Sequence, residues 1–248
     1  MPPYHKHLET STKRTGKSYQ EMHDWLDNHS QMKAERHSLD KLPENIEFVK
    51  TSWGNEAVEE YLQHILEDIA IQDIETLKKA GCPDEAVSHS IEVARKALEI
   101  SSRVKINVDR NLIIRGAVYH DLGKAKTYGM QHGEIGAQMA QELNLEDEVT
   151  QIILKHIRGG LTEPEAVELG LPVRDYTLKT PEEKIVIYAD RMVDIYTDGI
   201  VPNTDEKDAE NRFVEILQQY EKYGKNPVTL KRYIDMHQEI HGWMAVEK

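Results

Sequence analysis

The chain has 248 residues, 39% of them hydrophobic and 30% charged, and 44 acidic against 31 basic side chains leave a formal net charge of -13. A surface this acidic repels phosphate backbones and argues against broad nucleic-acid binding, although a metal or a local basic cluster reverses the field inside a pocket for a small anion. Cys82 is the only cysteine, which excludes an intrachain disulfide and a thiolate-built zinc site, and no apolar run approaches the roughly 18 residues of a membrane span. The opening MPPYHKHLETSTKRTGKSYQ lacks the apolar stretch of a secretory signal, so a soluble cytoplasmic protein with no membrane partner is expected.

Helical periodicity runs through nearly every segment and strand alternation is absent, which predicts an all-α fold. Residues 1–16 read as loose chain. SYQEMHDWLDNH (18–29) reads as a short helix with Tyr19, Met22 and Leu26 on one side, and LDKLPENIEF (39–48) as a connector broken by Pro43. From Asn55 to about Ala70 a stripe passes through Val58, Tyr61, Leu62, Ile65, Leu66 and Ile69. DIETLKKA follows and stops at Gly81 and Pro83.

Beyond that break, helices are expected at 84–103, 110–122, 133–143, 147–157, 163–169, 181–197, 206–222 and 227–242. TEPE (162–165) and TPEE (180–183) have capping-box spacing, and Pro181 falls at a first helical position, where its missing N–H costs nothing. The expected division is an N-terminal helical extension of unknown role, 1–72, and a larger domain, 73–248. His5, His7, His23, His29 and His37 of the extension read as surface or local packing residues. Trp25 and Trp53 point to dimerisation or domain docking, with a homodimer as the partner.

Helix geometry places residues three and four apart on one face. His89 aligns with Ala86 and Val93. Leu112, Ile113, Gly116 and Ala117 lead onto His120 and Asp121. His132 precedes Ile135, Gly136 and Met139; Val149, Ile152 and Ile153 lead to His156; Val186, Ala189 and Val193 surround Asp190. Six groups of metal-ligand type, on five helices, thus point inward. Burying one without a partner costs on the order of a few kcal/mol, and six that have only one another call for a cation. Imidazole nitrogen with carboxylate oxygen suits iron, manganese, zinc, cobalt or nickel.

The pattern His89…His120-Asp121…Asp190 resembles the H…HD…D signature of the HD-domain metal-dependent phosphohydrolase superfamily. HDLGK (120–124) is similar to the HDIGK form of its HDIG-type subgroup, while GMQHGEIGA (129–137) and KHIRGGLT (155–162) resemble the segments that carry extra histidines in two-metal members. KKAGCPDEAVSHSIEVA and GLPVRDYTLKTPEEKIVIYADRMV are most similar to a small, mainly archaeal HDIG-type group without a settled substrate. The resemblance covers about 74–200 and implies an HD-domain helical array followed by C-terminal helices. It further implies a first metal on His89, His120, Asp121 and Asp190, with Asp121 bridging to a second on His132 and His156. HDIG proteins commonly have paired histidines where this chain has His156-Ile157, so one ion and two both stay open, as does identity among manganese, iron, zinc, cobalt, nickel and magnesium. The N-terminal YHKH…TGKSYQEMHDWLD…ERHS faintly resembles a short uncharacterised helical segment.

The implied chemistry is attack of a metal-activated water on a phosphate ester or anhydride of a small metabolite or nucleotide. Asp121 is then catalytic as well as a ligand. Lys124, one turn past His120, and Arg158, beside His156 and before a flexible Gly159-Gly160, are the expected cationic helpers; Arg191 reaches either the pocket or solvent. Tyr128 and Tyr176 are candidates for the pocket mouth, and His237 and His241 for the core or a dimer contact. Two other readings use the same residues: a mixed-valent di-iron oxygenase of the HD fold, and a non-catalytic nucleotide-binding regulatory module.

Overall fold

A computed structural model describes residues 4–28 and 30–245. His29, one of the histidines singled out above, lies outside them. The chain divides into two compact units, Met1–Gln72 and Asp73–Lys248. Among the described residues all regular structure is helical, and none of these helices is long and apolar enough to cross a membrane.

The first unit holds α1 (Tyr4–Thr15), α2 (Gln20–Asp27), α3 (Ser30–Arg36), α4 (Leu42–Trp53) and α5 (Asn55–Ile69). Its core is Met22, Leu26, Leu42, Val49, Tyr61, Leu62, Ile65 and Leu66, all within 1% of full burial. Two expectations fail here. The supposedly loose start is a helix whose inward face is His7 and Ser11 rather than apolar residues, so hydrophobic periodicity does not reveal it. Pro43 does not break a connector but opens α4, at a position where a helix needs no N–H. Trp25 stacks on Phe48 with ring centroids 4.9 Å apart and lies 5.9 Å from Trp53, so the tryptophans pack within the unit.

The division falls within α6 (Ile71–Lys79), and the second unit continues through α7 (Asp84–Arg103), α8 (Arg110–Tyr119), α9 (His132–Glu142), α10 (Asp147–Lys155), α11 (Glu163–Glu168) and α12 (Pro181–Thr197). Short helices α13 (Glu206–Asn211), α14 (Phe213–Gln219) and α15 (Glu221–Gly224) then lead to the long α16 (Pro227–Met244). The single helix expected over 206–222 is thus broken at Arg212 and Tyr220.

At the centre lies α12. Ile185, Val186, Ile187, Tyr188, Ala189, Met192 and Val193 are fully buried, on every side of the helix, because α7, α8, α13 and α16 surround it. Each such aliphatic side chain contributes about 1.5–3 kcal/mol by leaving water. The capping box forms as expected: Glu183 N–H donates to Thr180 Oγ1 at 3.2 Å, and the Glu183 carboxylate accepts the Thr180 N–H at 3.2 Å. The same carboxylate meets buried Lys155 at 2.6 Å, tying the start of α12 to the end of α10.

Candidate metal centre

The six inward residues converge, although several sit at helix ends rather than within helices. Asp190 is on α12 and His89 on α7. His120 caps the C-terminus of α8, which ends at Tyr119, short of the expected 122; Asp121 enters a 3-10 turn, Leu122–Ala125. His132 opens α9, and His156 caps α10. Gly123 makes the approach of that turn to α9 feasible. A Cβ there would stand 1.9 Å from the His132 carbonyl oxygen, so any side chain would separate Asp121 from His132.

Two triads result. His89, His120 and Asp190 offer ligand atoms within 4.8 Å of one another, as do Asp121, His132 and His156. His89 Nε2 is 2.9 Å and His120 Nε2 3.5 Å from Asp190 Oδ1. Asp121 faces both groups: Oδ2 lies 3.3 Å from His120 Nε2 and 3.9 Å from His89 Nε2, while Oδ1 lies 3.3 Å from His132 Nε2 and 3.5 Å from His156 Nε2. It stands between the triads as a bridge.

The hydrogen-bond partners fix which nitrogen is free. His120, His132 and His156 each donate Nδ1–H to the carbonyl three residues earlier, on Ala117, Gly129 and Ile153, all at 2.7 Å. A carbonyl only accepts, so the proton is on Nδ1 and the Nε2 lone pair points into the centre. There His132 Nε2 and His156 Nε2 are 2.7 Å apart, and buried His120 Nε2 has no hydrogen-bond partner. Lone pairs opposed at that distance, next to two buried carboxylates, favour positive charge at this point. A divalent ion fits this donor set of imidazole nitrogen and carboxylate oxygen.

The electrostatics agree. Burial would push Asp121 up, but His120, His132 and His156 hold it well below the usual carboxylate range; Asp190 is held down likewise, against burial, by His120 and His89. Burial opposes charging of His120, yet Asp121 and Asp190 raise it to about 10, which marks a strong demand for positive charge at that point. Burial and the neighbouring His132 drive His156 toward its neutral form.

A cleft of about 240 Å³ opens over the triads, its rim carrying Lys124, Arg158, Arg191, Asp194, Lys222 and Lys225. Lys124 Nζ is 2.5 Å from Asp121 Oδ2. Arg191 faces the pocket rather than solvent: it is 7% exposed, with bonds of 3.0 Å to Asp194 and to the Tyr233 hydroxyl. Arg158 adopts φ 51°, a left-handed conformation that costs a non-glycine residue about 1–2 kcal/mol. Its carbonyl accepts from Arg232 at 2.9 Å. The expected flexible pair is instead buried and packed, Gly159 against the Tyr233 ring and Gly160 against the Tyr176 carbonyl, both at positive φ.

The sequence reading missed Asp194, Lys222 and Lys225. Asp194 follows Asp190 by one turn on the same face, a signal that was available; burial, with Asp190 beside it, pushes its carboxyl up to about 6. Lys225 is lowered by burial and by Arg191, Arg158 and Lys222, as expected where cations gather around space for an anion. Of the tyrosines proposed for the mouth, Tyr128 stands beside it, with Lys124 Nζ 5.9 Å from its ring centroid, while Tyr176 is not in the lining. Tyr128 is exposed with its hydroxyl on Glu85 at 2.8 Å, and Tyr176 is buried with its hydroxyl on the Pro172 carbonyl at 3.1 Å. His237 is half-buried and stacked on core Phe213.

An all-α domain that collects imidazoles and carboxylates from separate helices into two groups has the make-up of a metal-binding domain. The HD domain family model matches residues 86–193. An uncharacterised protein of Methanocaldococcus jannaschii is 34% identical over 170 residues, spanning 67% of this chain and 94% of that protein. The chain belongs to the HD-domain family. A tRNA (cytidine(56)-2'-O)-methyltransferase of Picrophilus torridus is 37% identical over 117 residues, 47% of this chain and 34% of that protein. Among solved structures, the HD domain of the L. monocytogenes phosphodiesterase PgpH, in complex with cyclic-di-AMP, covers 69% of this chain and 97% of that one at TM-score 0.44 and 18% identity.

Proposed function

We propose that the chain is a metal-dependent phosphohydrolase that cleaves a phosphate ester or anhydride of a small metabolite or nucleotide. The observation that carries this reading is the pairing of two ligand triads, joined by Asp121, with a cleft whose rim is mostly cationic. His89, His120, Asp121 and Asp190 would hold one divalent ion, and Asp121, His132 and His156 a second. Ions bound there supply an activated water and counter-charge for the phosphoryl oxygens.

The remaining work falls to the chain's own side chains. Lys124 and Arg158 bind and orient the phosphoryl group, and Lys222 and Lys225 offset the charge of the rest of an anionic substrate. Arg191, clamped between Asp194 and Tyr233, holds its charge at a fixed place in the wall, so little reorganisation accompanies binding. The volume is below that of a typical drug-sized pocket, which favours a small ester over a bulky one. The test is a panel of phosphodiesters, phosphomonoesters and nucleotides offered to full-length protein loaded with manganese or another divalent ion. Hydrolysis of at least one class that disappears on chelation is the expected result. Inactivity of the metal-loaded protein across the panel would overturn the reading.

A further inference from the structure

Expected as surface or local packing residues, three histidines of the first unit, His7, His23 and His37, gather instead around a fourth. His7 (2% exposed) and His23 (fully buried) surround His64, which sequence reading did not single out and which is also fully buried; His37 and Asp27 close the cluster at its partly exposed edge. Ligand atoms of Asp27, His37, His64 and Asp68 all lie within 4.8 Å of one another. His37 Nε2 is 3.1 Å from His64 Nε2 and 3.3 Å from Asp68 Oδ2, and His64 Nε2 is 3.5 Å from the same oxygen. Asp27 Oδ1 is 3.7 Å from His37 Nε2, and Asp27 Oδ2 is 4.0 Å from His64 Nε2.

Two further observations turn this cluster into a site. The Asp68 side chain is only 4% exposed, and neither of its oxygens has a hydrogen-bond partner, an expensive arrangement for a buried carboxylate. Proton placement also leaves lone pairs facing inward. His37 donates Nδ1–H to the Lys33 carbonyl at 2.8 Å, which frees Nε2. His64 Nδ1 meets His23 Nδ1 at 3.1 Å, and His23 Nε2 meets Ser11 Oγ at 3.0 Å and buried Glu60 at 3.4 Å. With His23 donating toward that carboxylate and accepting from His64 Nδ1–H, His64 Nε2 also presents a lone pair. Two imidazole lone pairs and an orphan carboxylate thus share one point.

We propose that Asp27, His37, His64 and Asp68 form a second divalent transition-metal site, within the N-terminal unit and sharing no residue with the HD centre. Two imidazole nitrogens and two carboxylate oxygens are a complete four-ligand set for zinc, cobalt or a similar ion. Lys33 now pairs with Asp27 Oδ1 at 2.6 Å, and the ion competes with it for that oxygen. His7 supports the site from outside, with Nε2 3.4 Å from Asp68 Oδ1 and Nδ1 3.0 Å from Glu67. His23 is a positioning residue that orients His64. The ion's role is structural: it ties α2 and the end of α3 to α5 on the polar side of the unit, beside its apolar core.

The experiment uses the full-length chain with both H120A and D121A, which disables the HD centre, titrated with Co²⁺ while its visible ligand-field absorption is recorded. The expected result is about one equivalent of bound Co²⁺ with an intense low-coordinate spectrum. Adding D68N or H64Q should weaken it by more than the roughly 10–100-fold that loss of a supporting partner costs, and H23Q by about that amount. No Co²⁺ absorption from a double variant that is folded by circular dichroism overturns the proposal. So does a spectrum that H37Q, H64Q and D68N all leave unchanged. If those substitutions unfold the unit, the double variant's own spectrum still decides. Failure of the HD reading has a different signature, namely H120A and D121A removing no metal from the otherwise native chain.

Discussion

In the HD centre His132 and His156 bring two Nε2 atoms to 2.7 Å beside Asp121; in the N-terminal unit His37 and His64 bring theirs to 3.1 Å beside Asp68. Both clusters neutralise the outer nitrogens by hydrogen bonds and leave inner lone pairs opposed. They differ in what lies around them. The HD centre opens into a cleft with five basic residues on its wall, and its six candidate ligands fall into two groups with the Asp121 carboxylate facing both. The N-terminal cluster is backed by Glu60 and Glu67, themselves engaged by Arg14 and His7, and its one lysine, Lys33, is paired with Asp27, so its charges are matched where the HD centre gathers cations around a cleft. An open, cationic surround suits turnover of an anion, whereas a closed four-ligand group suits holding helices together.

The largest effect should come from breaking the bridge. Asp121→Asn leaves the backbone in place but removes the charge both triads share. Hydrolysis should fall by about 10³-fold or more, several kcal/mol of transition-state stabilisation. Bound metal should fall at the HD centre only, which elemental analysis of the variant against D68N resolves.

Next in size is a change that touches no ligand. Gly123→Ala drives a Cβ into the His132 backbone, an overpacking that costs about 1–3 kcal/mol or more. Thermal unfolding should shift down by several degrees, with metal affinity at the HD centre reduced and the N-terminal site unaffected. An unchanged melting curve would mean that the turn and α9 are not held at this spacing.

The unequal legibility of the two clusters has a physical cause. Around the HD centre, apolar stripes on α7, α8, α10 and α12 run directly into the ligands, so periodicity alone aims His89, His120, His156 and Asp190 inward. Both TPEE and TEPE also mark true helix starts. In the first unit, α1 turns His7 and Ser11 toward the interior, and a polar inward face has no hydrophobic signature. His64 was hidden for the opposite reason, lying inside a strong apolar stripe and reading as one more helical position. Lys222 and Lys225 reach the cleft from a short helix and its end, long after the motif, and only tertiary packing places them.

A smaller effect separates charge from ligation. Lys124→Ala should lower kcat/KM by about 10–100-fold, about 1.4–2.7 kcal/mol, while leaving the metal content of the HD centre intact. Steady-state kinetics with parallel metal analysis checks this. Loss of metal in step with activity would make Lys124 a structural partner of Asp121 rather than a phosphoryl-binding group.

The smallest expected effect uses a histidine with no metal site as the control for both clusters. His237 Nδ1 shares a hydrogen bond of 2.8 Å with the Tyr188 hydroxyl, and its ring stacks on Phe213 with centroids 5.2 Å apart. Burial, reinforced by neighbouring His241, lowers it from 6.5 to about 4. Between those values the unfolded chain binds a proton that the folded chain does not. Stability from this group is therefore complete above about pH 6.5, declines as pH falls toward 4, and changes no further below that. Urea unfolding of the chelated protein should show this acid slope, at most about one proton from this residue. His237→Gln keeps an acceptor for Tyr188 but does not titrate, so it should flatten that part of the slope without altering metal binding at either cluster. An identical slope in the variant would assign the loss to the other histidines that burial drives toward the neutral form, His64 and His156, because carboxylates held below their usual range lose stability only at lower pH.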